Sequence, residues 1–148
     1  MHDRAAGLTL LLRIRLAMPL SKLRDRRILI VEDEYTVAMS LCDALESLGA
    51  VVIGPVPSVE KAVKTIESAP DIDAAILDIN LDGVMAYAVA DLLLSRNIPF
   101  VFSSGYETDV LRTLYPQIRN CQKPCGFPKL GEALARLIAE RKRRATID

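Results

Sequence analysis

The stretch ILIVEDE (residues 28–34) decides the fold, because four aliphatic side chains run directly into three consecutive acids. A continuous apolar run of this length is typical of a strand that is buried on both faces, as in a parallel sheet. Glu34 alone fits an ordinary solvent-facing loop residue. Glu32 and Asp33 stand where the buried strand ends, and their like charges repel each other unless something offsets them.

Short apolar runs alternate with helical patterns through the rest of the chain. The predicted strands cover residues 28–31, 51–54, 74–77, 98–103 and 121–123. Helical spacing predicts a helix that ends at Gly49, a second that begins at Ser58, and three more over residues 84–96, over 109–115 and from 128 onward. Five strands alternating with five helices favour an α/β fold, a doubly wound parallel sheet of the flavodoxin-like order 2-1-3-4-5.

The first 26 residues form an N-terminal extension whose structure the sequence does not define. Arg13 and Arg15 interrupt its apolar residues well before the roughly 20 that a membrane span needs. Three interpretations stay open: a loose extension or upstream start before Met18, a helix that binds a partner or a second copy, and a targeting segment. We therefore divide the chain into an extension (1–26), a domain (27–142) and a basic tail (143–148).

The charge balance argues against attraction to polyanionic partners. Nineteen basic and nineteen acidic residues cancel, so no net field draws the chain toward nucleic acid or an anionic membrane. The hydrophobic content of 51% is enough for a real core and excludes disorder. Cys42, Cys121 and Cys125 have no zinc-like spacing, which favours reduced thiols and a cytoplasmic location.

Chemically active side chains stand where the predicted strands end: Glu32, Asp33, Asp78, Ser104 and Lys123. Strands one and three are neighbours in the order 2-1-3-4-5, so the three acids converge at one edge of the sheet. At separations of roughly 5 Å and an effective dielectric near 20, each ionised pair repels by about 3 kcal/mol. Such a cluster must protonate, spread through water or hold a cation, and hard oxygen ligands favour Mg²⁺ or Mn²⁺.

Four segments, ILIVEDE, AAILDINLDG, PFVFSSGY and QKPCGF, resemble the motifs of response-regulator receiver domains, the phospho-accepting modules of two-component signalling. The resemblance runs from Arg27 into the final helix. It implies a stand-alone response regulator that accepts a phosphoryl group on Asp78 rather than an enzyme with a separate substrate.

The resemblance also implies roles for individual residues. The metal positions are Glu32 (through water), Asp33, Asp78 and the backbone carbonyl of Asn80. Ser104 would bond a phosphoryl oxygen, and Lys123 would pair first with the acceptor carboxylate and then with the phosphate. The Lys123–Pro124 bond is expected to be cis.

Three positions depart from the common pattern of the family. Glu32 replaces an aspartate, and Ser104 replaces the commoner threonine. Asn120 stands where many receivers carry an aromatic residue that swings inward on activation, which puts that switch in doubt. Tyr106 is an alternative candidate for an aromatic readout.

The implied partners are proteins. The donor would be a phosphohistidine on a histidine kinase or a phosphotransfer protein, because the lone histidine, His2, lies outside the regular pattern. The final helix uses most of the sequence after Lys123, so we expect the signal to pass through protein contacts to a downstream target.

Three other functions are alternatives to this interpretation. A degenerate receiver would bind partners without phosphorylation. An Mg²⁺-dependent aspartyl phosphatase of the haloacid-dehalogenase type needs a second acid two residues after Asp78, where this chain has Asn80. A flavodoxin-like nucleotide binder needs amides and hydroxyls after the first strand, where Glu32 and Asp33 would repel phosphate.

Overall fold

A computed structural model describes residues 19–69, 71–105 and 108–147, with side chains as far as residue 144. Residues 1–18 of the predicted extension lie outside these ranges, and so does the candidate readout residue Tyr106.

The core of the domain is a five-stranded parallel sheet. Its strands are β1 (Arg27–Val31), β2 (Val51–Val56), β3 (Ala74–Leu77), β4 (Phe100–Ser104) and β5 (Asn120–Gln122). The spatial order is β2-β1-β3-β4-β5, which confirms the predicted doubly wound topology. In the register between β1 and β3, Val31 lies beside Leu77, so both strands end level with each other.

Five helices cover the two faces of the sheet: α1 (Tyr35–Ser47), α2 (Val59–Ser68), α3 (Tyr87–Ser95), α4 (Thr108–Leu114) and α5 (Phe127–Ile147). Successive residues of β1 point to opposite faces. Leu29 packs in the cluster that includes side chains of α2 and α3, whereas Ile30 packs with α1 and α5. Burial on both faces explains why the strands are continuous apolar runs. None of the described helices is long and apolar enough to cross a membrane.

Two of the predicted boundaries that differ from the structure have a local explanation. The third helix begins at Tyr87 instead of residue 84, because Val84–Met85 pairs antiparallel with Asn80–Leu81 in a small hairpin. The fourth strand begins at Phe100 instead of residue 98, because the N–H of Ile98 donates to Leu93 of α3 at 3.0 Å. The start of α2 is confirmed, since the Ser58 side chain accepts from the N–H of Lys61.

The two ends of the described chain pack on the same layer. Leu20–Leu23 forms a 3₁₀ turn, and Leu23 is fully buried in the cluster formed by α1 and α5. Helix α5 continues to Ile147, so residues 143–147 of the predicted basic tail are helical.

The three cysteines are free thiols, and those at positions 42 and 121 are buried.

Gly54 lies where the backbones of β1 and β2 approach each other closely. It has a φ of +92°, and a Cβ placed there would lie 2.8 Å from the Val56 nitrogen and 3.0 Å from the Ile30 oxygen. The matched control is Gly83, whose φ is +86° but whose added Cβ would meet no atom within 4 Å.

We expect Gly54→Ala to lower the free energy of unfolding more than Gly83→Ala does. Both variants incur the left-handed backbone cost of about 1–2 kcal/mol, but only the first adds a steric clash with backbone atoms. Urea unfolding of the two variants measures the difference. Equal destabilisation would contradict the close approach at Gly54.

Candidate functional site

The sheet brings several predicted site residues to its carboxyl edge. Backbone bonds continue just past the strand ends: the N–H of Asp78 donates to Val31 at 2.9 Å, and that of Lys123 donates to Ser104 at 2.7 Å. The N–H of Glu32 likewise donates to Val56 at 3.0 Å. These bonds fix the positions of the acidic and basic side chains that follow β1, β3 and β5.

Three carboxyl groups meet at this edge. Glu32, Asp33 and Asp78 each contribute one oxygen to a group in which all oxygens lie within 4.8 Å of one another. Glu32 is only 3% exposed and Asp78 only 4%, whereas Asp33 is half-buried. The convergence predicted from the strand order is therefore present in the structure.

Lys123 lies between the two buried acids. Its Nζ donates to both carboxylate oxygens of Glu32, at 3.0 and 3.2 Å, and to Oδ2 of Asp78 at 2.9 Å. The sequence-based assignment paired this lysine with the acceptor carboxylate, and the structure adds Glu32 as a second partner.

One lysine does not offset three carboxyl groups. Burial, together with the hydrogen bond and charge of Asp78, raises the pKa of Glu32 to about 8 against the opposing effect of Lys123. Burial alone would lower the pKa of Lys123, but its bonds to Asp78 and Glu32 and their charges raise it. The site thus favours added positive charge.

Asp33 and Asp78 open onto a cavity of about 330 Å³. It is lined by Asp33, Glu34, Asp78, Asn80, Asp82, Gly83, Gly105 and Lys123. Converging hard oxygen donors beside an open, polar space match the preference of Mg²⁺ or Mn²⁺, which keep part of their water shell. The residues present therefore fit a divalent cation.

The hairpin after β3 shapes one wall of this cavity. The N–H of Asn80 donates to Oδ1 of Asp78 at 3.0 Å, and the N–H of Gly83 donates to the Asn80 side chain at 2.8 Å. Sequence reasoning missed Asp82 and Gly83 as lining residues because it assigned residue 84 onward to a helix. Glu34 is an exposed residue just before α1, as the sequence predicted, and it also lines the cavity.

Ser104 is fully buried at the end of β4. Its hydroxyl donates to Oδ1 of Asn120 at 2.9 Å, and the Asn120 amide donates to the hydroxyl of Thr108 at 3.3 Å. No local pattern in the sequence indicates these hydrogen bonds, because the three residues come from three separate elements. The Lys123–Pro124 peptide bond is cis.

Comparisons with solved structures return signalling domains. The solution structure of SdrG from Sphingomonas melonis Fr1 is 41% identical, covers 76% of this chain and 96% of that one, and has a TM-score of 0.67. The beryllofluoride-activated conformation of SdrG from Pseudomonas melonis Fr1 is 40% identical, covers 78% and 98%, and has a TM-score of 0.64. A response regulator receiver protein from Sinorhizobium medicae WSM419 is 25% identical, covers 80% and 98%, and has a TM-score of 0.72.

No protein-family model and no curated protein matched the sequence. The fold and the acidic edge define a flavodoxin-like α/β domain with a strand-end acid site. With 41% identity across 96% of SdrG, the chain belongs to the family of response-regulator receiver domains.

We expect Lys123→Met to destabilise the domain, because it leaves two buried carboxyl groups without their shared donor. Hydrogen bonds to charged groups contribute about 1.5–3 kcal/mol, so the loss should be about 2 kcal/mol. The control is Lys64→Met, which breaks an exposed pair with Glu60 at 3.1 Å and should change stability by less than about 0.5 kcal/mol. Chemical unfolding without divalent cations measures both, and equal effects would contradict the central role of Lys123.

Proposed function

We propose that this receiver domain accepts a phosphoryl group on Asp78 from a phosphohistidine of a partner protein. The observation that carries the proposal is the placement of the Asp78 carboxylate. One of its oxygens accepts from Lys123 at 2.9 Å and the other from the Asn80 N–H at 3.0 Å, beside an open polar cavity. The carboxylate is thus held at a fixed position where an incoming group can reach it.

Phosphoryl transfer depends on alignment of the reacting atoms and neutralisation of charge more than on covalent catalysis. An oxygen of Asp78 would attack phosphorus as the phosphorus–nitrogen bond of the phosphohistidine breaks, which forms an acyl phosphate and releases the partner's imidazole. Lys123 would stay beside the new phosphoryl group as a positive charge. Ser104 would donate its hydroxyl to a phosphoryl oxygen.

Asp33, Asp78 and the Asn80 carbonyl would hold Mg²⁺, with Glu32 acting through water. Such a cation supplies positive charge for the phosphoryl oxygens when it is bound. The residues of the chain do the rest, because they fix Asp78 and leave one side of the site open to a partner.

Support for a phosphoryl-dependent state comes from the comparison with SdrG. Beryllofluoride is a tetrahedral analogue of a phosphoryl group on a carboxylate, and a beryllofluoride-activated conformation exists for that relative. We propose that this domain changes state in the same way in the cytoplasm and signals through contacts with a downstream protein. Its upstream partner would be a histidine kinase or a histidine phosphotransfer protein.

Labelling with acetyl phosphate and Mg²⁺ tests the acceptor. The wild-type chain should gain one acid-labile phosphoryl group, and Asp78→Asn should gain none because it lacks the attacking oxygen. Asp82→Asn is the matched control, since Asp82 lines the same cavity from the hairpin and should leave labelling intact. Intact-mass spectrometry gives the stoichiometry, and a labelled Asp78→Asn variant would refute the assignment.

A Mg²⁺ titration tests the cation site separately. At ten times its dissociation constant, a ligand of the folded state adds about 1.4 kcal/mol to the free energy of unfolding. The melting temperature of the wild-type chain should therefore rise with Mg²⁺, and that of Asp33→Asn should rise much less. A melting temperature that Mg²⁺ leaves unchanged would count against a preformed site.

A further inference from the structure

We propose that Asn120 couples the state of Asp78 to helix α4 by holding the Ser104 hydroxyl while Asp78 is unphosphorylated. This inference rests on the proposed phosphorylation of Asp78 and names the residues that would pass the change onward. Asn120 acts here as a positioning residue and not as a group that touches the phosphoryl donor.

Three side chains form a continuous chain of hydrogen bonds away from the acid cluster. The Ser104 hydroxyl donates to Oδ1 of Asn120 at 2.9 Å, and Nδ2 of Asn120 donates to Oγ1 of Thr108 at 3.3 Å. Ser104 ends β4, Asn120 begins β5, and Thr108 is the first residue of α4. The chain therefore links the sheet edge to the start of a helix.

Ser104 is also tied to the acid cluster through its backbone. Its carbonyl oxygen accepts from the N–H of Lys123 at 2.7 Å, and the Nζ of Lys123 lies 2.9 Å from Oδ2 of Asp78. Ser104 is fully buried, so its hydroxyl has protein partners rather than bulk water. A change at Asp78 would therefore reach Ser104, whose hydroxyl is already bonded to Asn120.

The coupling follows from the number of protons on a serine hydroxyl. A hydroxyl donates one hydrogen bond, and Ser104 gives that bond to Asn120 in this structure. If Ser104 donates instead to a phosphoryl oxygen on Asp78, Oδ1 of Asn120 loses its donor. The two states of Ser104 exclude each other.

The side chain of Asn120 must rotate to replace the hydrogen bond that its oxygen loses. Its side chain is half-buried, and an amide oxygen left without a donor is costly in such a place. Oδ1 and Nδ2 belong to one planar amide, so a rotation that finds a new donor for the oxygen also moves the nitrogen away from Thr108. The first residue of α4 then loses its link to β5. Helix α4 has only seven residues and depends on such contacts, since short helices have little stability of their own.

Hydrogen exchange of the full chain, with Mg²⁺ and beryllofluoride as the probe, tests the coupling. We expect beryllofluoride to speed amide exchange in α4 of the wild-type chain about fivefold, the factor that corresponds to one lost hydrogen bond. In Thr108→Val the exchange in α4 should be fast from the start, and beryllofluoride should change it less than twofold. Thr113→Val is the matched control. Within the described part of the chain its hydroxyl bonds inside the helix, to Asp109 at 3.0 Å, so this variant should respond like the wild type.

A second variant, Asn120→Ala, removes the middle of the chain and should lose the α4 response in the same way. It should bind beryllofluoride at least as tightly as the wild type, because Ser104 no longer has to leave a partner. Fluorine NMR reports this binding independently of α4. Weaker binding in this variant would overturn the inference, and so would a normal α4 response in either Asn120→Ala or Thr108→Val.

The same measurement separates this inference from the proposed function. A wild-type chain that gives no signal for bound beryllofluoride would refute both the acceptor site and the coupling built on it. A wild-type chain that binds beryllofluoride, with an α4 response that does not depend on Asn120, would refute only the coupling.

Discussion

The structure depends on three carboxyl groups that the sheet brings together, two of which share one lysine. Glu32 and Asp78 are almost fully buried, and each contacts the Nζ of Lys123 at about 3 Å. A carboxylate in such a place is costly unless a positive charge faces it. One lysine partly meets that need for two acids and leaves Asp33 beside them. The remaining imbalance favours added positive charge at this edge, which in the proposed function a bound cation would supply beside the phosphoryl group.

The fold creates this imbalance through its register. Parallel strands end at the same edge, and the pairing of Val31 with Leu77 sets the residues after β1 beside Asp78. Helices on both faces make the strands buried and therefore stiff, so the acids cannot simply move apart. Lys123 follows the edge strand β5, and its backbone N–H donates to the carbonyl oxygen of Ser104. A fixed sheet thus holds groups that would separate in a flexible loop.

The sequence was sufficient to predict the sheet and the acid cluster, because both follow from one-dimensional patterns. Apolar runs mark the strands, and the acids directly follow them, so the strand order alone brings Glu32 and Asp78 together. The hairpin before α3 was missed since Val84 and Met85 fit a helical stripe as well as a strand pair. The bond between Ser104 and Asn120 could not be predicted, because it depends on side-chain rotamers 16 residues apart in the chain. Nor could the sequence show that Lys123 divides its contacts between two acids.

The proposed coupling would allow a polar residue, Asn120, to act at the position where the family pattern has an aromatic ring. An aromatic ring responds to phosphorylation by moving its bulk into an apolar space. An amide responds by exchanging hydrogen bonds, so it needs a partner for both its oxygen and its nitrogen. Ser104 and Thr108 supply those partners at 2.9 and 3.3 Å. A coupling of this kind requires little empty space and responds to the gain or loss of a single proton donor, which is the change that a phosphoryl group on Asp78 would impose on Ser104.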